Sequence, residues 1–121
     1  MPSEPTVVWT EIPVSDLDAG VAFYEAVFGL KTQRQEGGPN PFANFSDAGD
    51  IVSGHIYPGT PARGEGGPTI HLALPDTVEA GMERCRAAGG TVLGAPIAIP
   101  PGRFAYATDP DGNSIGLFEP A

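Results

Sequence analysis

The sequence predicts an α+β domain built from two tandem βαβββ modules. Residues 9–29, WTEIPVSDLDAGVAFYEAVFG, combine a short strand pattern, a capped turn and an amphipathic helix pattern that ends at a glycine. The same order of patterns begins again after a linker rich in glycine and proline, which indicates one duplicated supersecondary unit within the 121 residues. One module alone would leave a sheet face exposed, and two modules that pair their sheets can cover it.

The first module opens with a strand over residues 9–14 and a helix that follows it. Ser15 is the expected N-cap of this helix, Asp18 places a negative charge in its first turn, and Gly29 is the expected stop. Apolar residues at helical spacing predict its buried face. They are Leu17, Val21, Tyr24, Val27 and Phe28.

Three further strands complete the first module, and a linker separates it from the second. The strands are predicted at about residues 30–33, 42–46 and 51–57, with the turn sequences EGGPNP and DAGD between them. The whole chain is predicted to be a single domain, with module 1 at about 6–58, the linker at about 59–68 and module 2 at about 69–120.

The second module repeats this order. Its first strand is predicted at 69–74, and its helix begins at Asp76 or Thr77, carries a buried stripe and stops at Gly89 and Gly90. The stripe consists of Val78, Met82 and Cys85. Later strands are predicted at about 91–93, 103–107 and 114–118, with a short additional segment at 97–99 and a DPDGN hairpin turn at 109–113.

A constant shift of 62 residues relates the two modules in this interpretation. It places Trp9 over His71, Asp47 over Asp109, and Gly54 over Gly116. Because side chains alternate along a strand, the shift predicts that these residues occupy equivalent positions on the two sheets.

Charge and composition exclude several partners. The chain has 15 acidic and 6 basic residues, a formal charge of −9, which would repel nucleic acid and anionic lipid. Its single cysteine, Cys85, allows no internal disulfide and agrees with a reducing compartment. The sequence shows no signal peptide and no apolar run long enough to span a bilayer, so we expect a cytoplasmic protein.

Several motifs, in order, resemble those of the vicinal oxygen chelate superfamily, which includes glyoxalase I, bleomycin-resistance proteins and extradiol dioxygenases. The motifs are SDLDAGVAFYEAVFGL, the HLALPD strand with its helix and AAGG, and DPDGNSIGLFEP. The WTEIP opening and the IGLFEP ending are most similar to small bacterial glyoxalase-related members. The resemblance implies modules whose sheets form an open barrel-like cleft, often in a homodimer. It also implies a divalent metal held by four side chains, one from the first and one from the last strand of each module.

The sequence departs from that metal site. The four implied positions fall on Trp9, Gly54, His71 and Gly116, and only His71 can bind a metal. One imidazole cannot hold an ion tightly. We therefore expect no cofactor. The alternative is a weakly bound divalent metal, held by His71 with Glu11.

His71 and Glu11 are the candidate catalytic residues. His71 lies on the face of its strand that the resemblance directs into the cleft, where it can act as an acid or base or anchor a ligand. The alternative is a histidine satisfied by a backbone carbonyl. Glu11 shares a strand face with Trp9 and could move protons, or it could only form an ion pair at a rim.

Further residues are candidates for substrate binding. Trp9 could be an aromatic platform or core filler, and Gly54 and Gly116 could enlarge the cavity or allow close packing. Phe104 and Tyr106 are expected to line an apolar slot. Arg103, at a strand start, could hold an anionic substrate or be solvated. His55, next to Gly54, is expected to point away from the cavity.

Two functions follow from these candidates. One is a glyoxalase-like lyase or isomerase that acts on a small oxygenated or aromatic metabolite, with His71 and Glu11 handling protons. The other is a metal-free binding protein that sequesters a drug or other small ligand, as bleomycin-resistance proteins do, with Trp9, Phe104 and Tyr106 lining the slot. In both, the expected partners are a small molecule and a second copy of the chain.

Overall fold

The structure is a computed structural model that describes residues 7–36, 40–49, 53–63 and 66–121. It is a mixed α+β fold with two open sheets, each with its own helix, which confirms the predicted fold class. In chain order the elements are β1 (Thr10–Val14), α1 (Leu17–Phe28), β2 (Gln33–Gln35), β3 (Phe42–Asn44), β4 (Gly54–Pro58), β5 (Ile70–Ala73), α2 (Val78–Ala87), β6 (Thr91–Val92), β7 (Ile97–Ile99), β8 (Gly102–Thr108) and β9 (Ser114–Pro120).

The first sheet has the strand order β1-β4-β3-β2, in which β1 and β4 are parallel and the other pairs are antiparallel. Its β2 begins three residues later than the strand predicted at 30–33. After α1 ends, Leu30 packs against the core and the Thr32 hydroxyl donates to the Glu25 carboxylate at 2.7 Å, so this stretch returns along the helix first. Residues 37–39 of the predicted turn and residues 51 and 52 of the predicted fourth strand lie outside the described residues.

The second sheet has the order β5-β9-β8-β6, with β5 and β9 parallel. The short segment at 97–99 is a strand, β7, and pairs antiparallel with β8. The DPDGN turn joins β8 and β9 as predicted, and the Asp109 carboxylate organises it by accepting the backbone N–H groups of Asp111 and Asn113 at 3.0 and 2.9 Å.

The helix caps follow the predictions with one correction. The N-cap of α1 is Asp16, whose carboxylate accepts the Ala19 N–H at 3.0 Å, so the prediction of Ser15 is wrong. Ser15 instead donates its backbone N–H and its hydroxyl to the Asp111 carboxylate. Gly29 ends α1 in the left-handed region at φ 67°, as predicted. Thr77, one of the two candidates, caps α2.

The core lies between the helices and one face of each sheet. Its buried residues come from α1, α2 and alternate strand positions. They include Ile12, Val14, Phe23, Tyr24, Val27, Ile56, Val78, Cys85, Ala105, Ile115 and Leu117. The two helices also contact each other. Since the helices cover one face of each sheet, the residues that alternate with these core positions lie on the opposite, free faces.

None of the helices in the described residues is long and apolar enough to cross a membrane.

Candidate functional site

The free face of the second sheet carries a cluster of aromatic side chains around His71. The His71 imidazole meets the rings of Phe104 and Phe118 edge to face, with centroids 4.9 and 5.9 Å away, and lies 5.9 Å from Tyr106. Phe104 and Phe118 are parallel, at an interplanar angle of 2°. We call His71, Phe104, Tyr106, Gly116 and Phe118 the aromatic face.

Strand register brings these residues together. His71 on β5 is paired with Gly116 on β9, which is paired in turn with Tyr106 on β8. Phe118 and Phe104 form the adjacent pair. Because residues two apart on a strand share a face, all five lie on the same side of the sheet. Phe118 was missed by the sequence analysis, although its spacing of two from Gly116 would have identified it.

Gly116 provides the space that the His71 ring occupies. A Cβ at Gly116 would overlap the imidazole and would lie 2.5 Å from its Cγ. The glycine is therefore required by the histidine and not by a turn. Desolvation lowers the pKa of His71 below its ordinary value, so the ring is neutral at neutral pH and has one donor and one acceptor nitrogen.

The rim of the aromatic face is apolar and open. The rim residues Leu93 and Ile97 are 59% and 44% exposed, and Tyr106 of the face itself is 42% exposed. Large apolar side chains exposed side by side mark a surface that a ligand or another protein covers. The face therefore combines apolar rings with one polar side chain, the His71 imidazole.

The free face of the first sheet holds a second group, made by Trp9, Glu11 and His55. The Trp9 indole N–H donates to Nδ1 of His55 at 3.1 Å. Nε2 of His55 lies 3.6 Å from Oε1 of Glu11. The Phe42 and Tyr57 rings flank the imidazole, with centroids 4.7 and 5.9 Å away.

The position of His55 corrects the predicted register. Glu11 pairs with His55 across β1 and β4, as His71 pairs with Gly116 across β5 and β9. Equivalent residues on these strands are thus 60 and 61 residues apart, not 62. A shift of one residue reverses the face of every side chain on a strand. His55 therefore lies on the free face with Glu11, and the expectation that it points away is wrong.

Gly54 does not share that face. It pairs with Thr10, and a Cβ at Gly54 would lie 2.5 Å from the Thr10 carbonyl oxygen, so the residue serves the close approach of β1 and β4. The apolar pattern of residues 54–58, GHIYP, already indicates the correct register. Ile56 has to face the core with Ile12, which leaves His55 on the other side.

Arg103 lies on the helix-covered side of β8, away from the aromatic face. Its guanidinium donates to both carboxylate oxygens of Glu79 at 2.9 and 2.8 Å and to Glu119 at 2.6 Å. Glu119 also accepts the first N–H of α2, from Val78, at 2.9 Å. The hydrogen bonds from Arg103 lower the pKa of Glu79 to about 2. The cluster fastens the start of α2 to the sheet instead of facing a ligand on the other side.

The donor set does not fit the metal that the resemblance implies. In the register of the structure, the four implied positions are Glu11, His55, His71 and Gly116. Three carry donors, but no three His, Cys, Asp or Glu side chains converge within the part of the chain that the structure describes. Nδ1 of His55 is already occupied by the Trp9 N–H. His71 lies among aromatic rings, and Glu11 lies beside His55.

A cavity of about 250 Å³ lies beside Glu11, where the two modules meet. Among the described residues that line it, Glu11 is the only one with a charged side chain, and the walls are largely apolar. They include Ile12, Pro13, Ala62, Ile70 and Ser114. The cavity could hold a small apolar group next to a carboxylate.

Comparison with known proteins agrees with this architecture. The family model described as Glyoxalase/Bleomycin resistance protein/Dioxygenase superfamily matches residues 6–117. Proteins named "Putative glyoxylase CFP32" in Mycobacterium bovis and Mycobacterium tuberculosis are 35% identical over 121 residues, which cover 96% of this chain. The match covers 44% of those relatives, so the chain spans less than half of their length.

Two solved structures share the fold over nearly the whole chain. A glyoxalase/bleomycin resistance protein from Albidiferax ferrireducens T118 has a TM-score of 0.71 at 22% identity. The match covers 97% of this chain and 100% of that protein's chain. TnmS3, an antibiotic binding protein from Streptomyces sp. CB03234, has a TM-score of 0.62 at 26% identity, with 100% of both chains covered. The chain belongs to the glyoxalase/bleomycin resistance protein/dioxygenase superfamily.

Proposed function

We propose that the protein binds a small molecule with a flat, aromatic or conjugated part on the aromatic face, with His71 as its polar anchor. The observation that carries this proposal is the His71 imidazole, seated over Gly116 and meeting Phe104 and Phe118 edge to face. Edge-to-face packing on aromatic rings favours a planar ligand, and a neutral imidazole can hydrogen-bond to its carbonyl or hydroxyl oxygen. The antibiotic-binding name of TnmS3 supports a binding role.

The apolar rim supports a further part of the proposal. Leu93 and Ile97 are large, exposed and adjacent to the aromatic face, whose own Tyr106 is also exposed. A second copy of the chain would cover them and complete the wall of the ligand slot, so we propose a homodimer. The single free cysteine, Cys85, supports the further proposal of a cytoplasmic location. Sedimentation equilibrium on the wild type and Ile97→Lys tests this part, with the dimer expected to weaken in the variant. A wild-type monomer at all concentrations would contradict it.

Ligand binding is tested by a thermal-shift and calorimetric screen against planar aromatic compounds, with and without carbonyl or hydroxyl groups. A compound that binds the folded state raises the melting temperature, and its affinity follows from the dependence on concentration. Tyr106→Ala and His71→Ala are expected to weaken binding about fivefold, since each removes a contact worth on the order of 1 kcal/mol. His55→Gln, on the other sheet, is the matched control. Binding that both aromatic-face variants leave unchanged would contradict the proposal.

A second function, a proton-transfer enzyme of lyase or isomerase type, is favoured by one observation. Nε2 of His55 lies 3.6 Å from Oε1 of Glu11, and Glu11 lines the cavity where the two modules meet. A carboxylate next to an imidazole can take up and return a proton of a small oxygenated metabolite, without a metal. Glu11→Gln and His55→Gln would then abolish turnover of such substrates while leaving binding on the aromatic face intact. Turnover that depends on His71 alone would contradict this assignment.

A further inference from the structure

We propose that Trp9 is a positioning residue that fixes His55 as the Nε2–H tautomer. The first sheet then presents an imidazole N–H beside the Glu11 carboxylate, and His55 is excluded from metal binding through Nε2. The inference concerns the pair on the first sheet. It stands whether or not the aromatic face binds a ligand.

The tautomer follows from the chemistry of the donor. The indole nitrogen of Trp9 carries a hydrogen and can only donate. It lies 3.1 Å from Nδ1 of His55, so Nδ1 has to be the bare, accepting nitrogen. A neutral imidazole with a bare Nδ1 carries its hydrogen on Nε2.

That hydrogen is directed toward a carboxylate. Nε2 lies 3.6 Å from Oε1 of Glu11, which is slightly longer than a hydrogen bond. The Glu11 side chain is 65% exposed and free to rotate closer, whereas the His55 side chain is only 16% exposed. The imidazole is therefore the fixed member of the pair and Glu11 the adjustable one.

The surrounding rings keep the imidazole in this orientation. The rings of Trp9, Phe42 and Tyr57 pack around it, with centroids 5.9, 4.7 and 5.9 Å away. A ring flip that exchanged the nitrogen positions would break the bond to Trp9 and place carbon atoms at the donor. The packing and the hydrogen bond thus select the same state.

The consequence for metal binding is specific. A metal ion needs a bare nitrogen, and Nδ1 is the one that accepts from Trp9. Binding through Nε2 would move the hydrogen to Nδ1, where it would oppose the indole N–H. A histidine that binds a metal through one nitrogen usually donates the N–H of its other nitrogen to an acceptor. At His55 the group that faces this other nitrogen is the Trp9 N–H, which is a donor. Trp9 thus opposes the use of His55 as a ligand.

The direct test is the nitrogen chemical-shift pattern of His55 in the full chain, labelled with ¹⁵N at histidine. The wild type is expected to show the Nε2–H pattern. Trp9→Phe keeps the ring and removes the donor, so His55 is expected to become a mixture of tautomers while His71 keeps its wild-type pattern. An Nδ1–H pattern in the wild type overturns the proposal, as does an unchanged pattern in Trp9→Phe. Because the wild-type pattern alone decides the first point, the test does not depend on the folding of a variant.

The metal consequence has its own readout, titration with Co²⁺ followed by visible absorption and calorimetry. Trp9→Phe is expected to bind Co²⁺ about fivefold more tightly than the wild type, which is the net value of one hydrogen bond. The gain should disappear when His55→Ala is added. An affinity that Trp9→Phe leaves unchanged, including no binding by either protein, overturns the role of Trp9 in excluding the metal.

Discussion

The Tyr24 hydroxyl donates a 2.7 Å hydrogen bond to the buried carboxylate of Asp109, which joins the first helix to the hairpin turn of the second module. Tyr24 is fully buried and Asp109 is 2% exposed. Burial, and then the neighbouring carboxylate of Asp109, raise the pKa of Tyr24 well above its ordinary value, so the phenol remains a donor. The Asn113 amide donates to the same carboxylate at 2.8 Å and to the Pro13 carbonyl at 2.7 Å. This network holds the two modules in one arrangement.

Removing the phenol hydroxyl should destabilise the protein. Tyr24→Phe leaves the Asp109 carboxylate without one of its donors, and a buried hydrogen bond to a charged group contributes about 1.5–3 kcal/mol. The loss in the free energy of unfolding is measured by urea denaturation. Tyr57→Phe is the matched control, because the Tyr57 hydroxyl forms no hydrogen bond to another described residue. A Tyr24→Phe protein as stable as the control would show that the network does not hold the modules together.

Alanine substitutions at Gly54 and Gly116, which the 62-residue shift had placed at equivalent positions, should have different effects. A Cβ at Gly54 would meet the Thr10 carbonyl oxygen, and backbone in a strand pair cannot move aside, so Gly54→Ala should cost about 1–3 kcal/mol. A Cβ at Gly116 would meet the His71 ring, which can rotate away because it lies on the open face. Gly116→Ala should therefore cost less stability and displace the imidazole. Denaturation and the His71 ring signals in NMR spectra measure the two effects, and equal stability losses would contradict this explanation.

The sequence could predict the features that depend on local patterns, but not the strand register that separates Gly54 from Gly116. The βαβββ repeat, both helices and the Gly29 stop were predictable, because they depend on local periodicity. The shared face of Phe104 and Tyr106 was predictable from strand alternation, whereas the place of His71 beside them depends on the pairing of β5, β9 and β8. The 62-residue shift holds between β3 and β8, where Asn44 faces His55 as Tyr106 faces Gly116. The shift fails between β1 and β5 and between β4 and β9, where equivalent residues are 60 and 61 residues apart. The reason is that the connections between strands differ in length by one or two residues in the two modules.

The sequence also could not predict hydrogen-bond partners that lie far apart along the chain. Arg103 was a candidate for binding an anion, but the strand places it opposite Glu79 of α2. Ser15 was a good N-cap by type, but Asp111, 96 residues later, takes its hydrogen bonds. Both residues have common local roles, and a tertiary contact that no local pattern records determines which role they adopt.

The ion pairs of Arg103 should make stability depend on pH in the acid range. The hydrogen bonds from Arg103 lower the pKa of Glu79 from 4.5 to about 2. A carboxylate with a lowered folded-state pKa stabilises the fold above its unfolded pKa, and this contribution is lost as the pH falls from about 4.5 to about 2. Arg103→Gln should therefore flatten the dependence of melting temperature on pH in that window. Glu83→Gln on the same helix is the control and should retain the wild-type slope, and an unchanged slope in Arg103→Gln would contradict the assignment.

His71 should make stability depend on pH nearer neutrality as well. The cause here is desolvation of the imidazole and not an ion pair. Desolvation lowers its pKa in the folded protein below the ordinary value of 6.5. Folding then favours the neutral ring, so the contribution of His71 to stability is fully present above the unfolded pKa and is lost as the pH falls below it. Melting temperature should accordingly decrease from pH 7 to pH 5, and His71→Gln should remove part of that decrease. His55→Gln, which changes the histidine on the other sheet, is the control for a general effect of replacing a histidine. A His71→Gln protein that retains the full wild-type decrease would mean that the aromatic face does not desolvate the imidazole, and would remove the case for a neutral ligand anchor at that position.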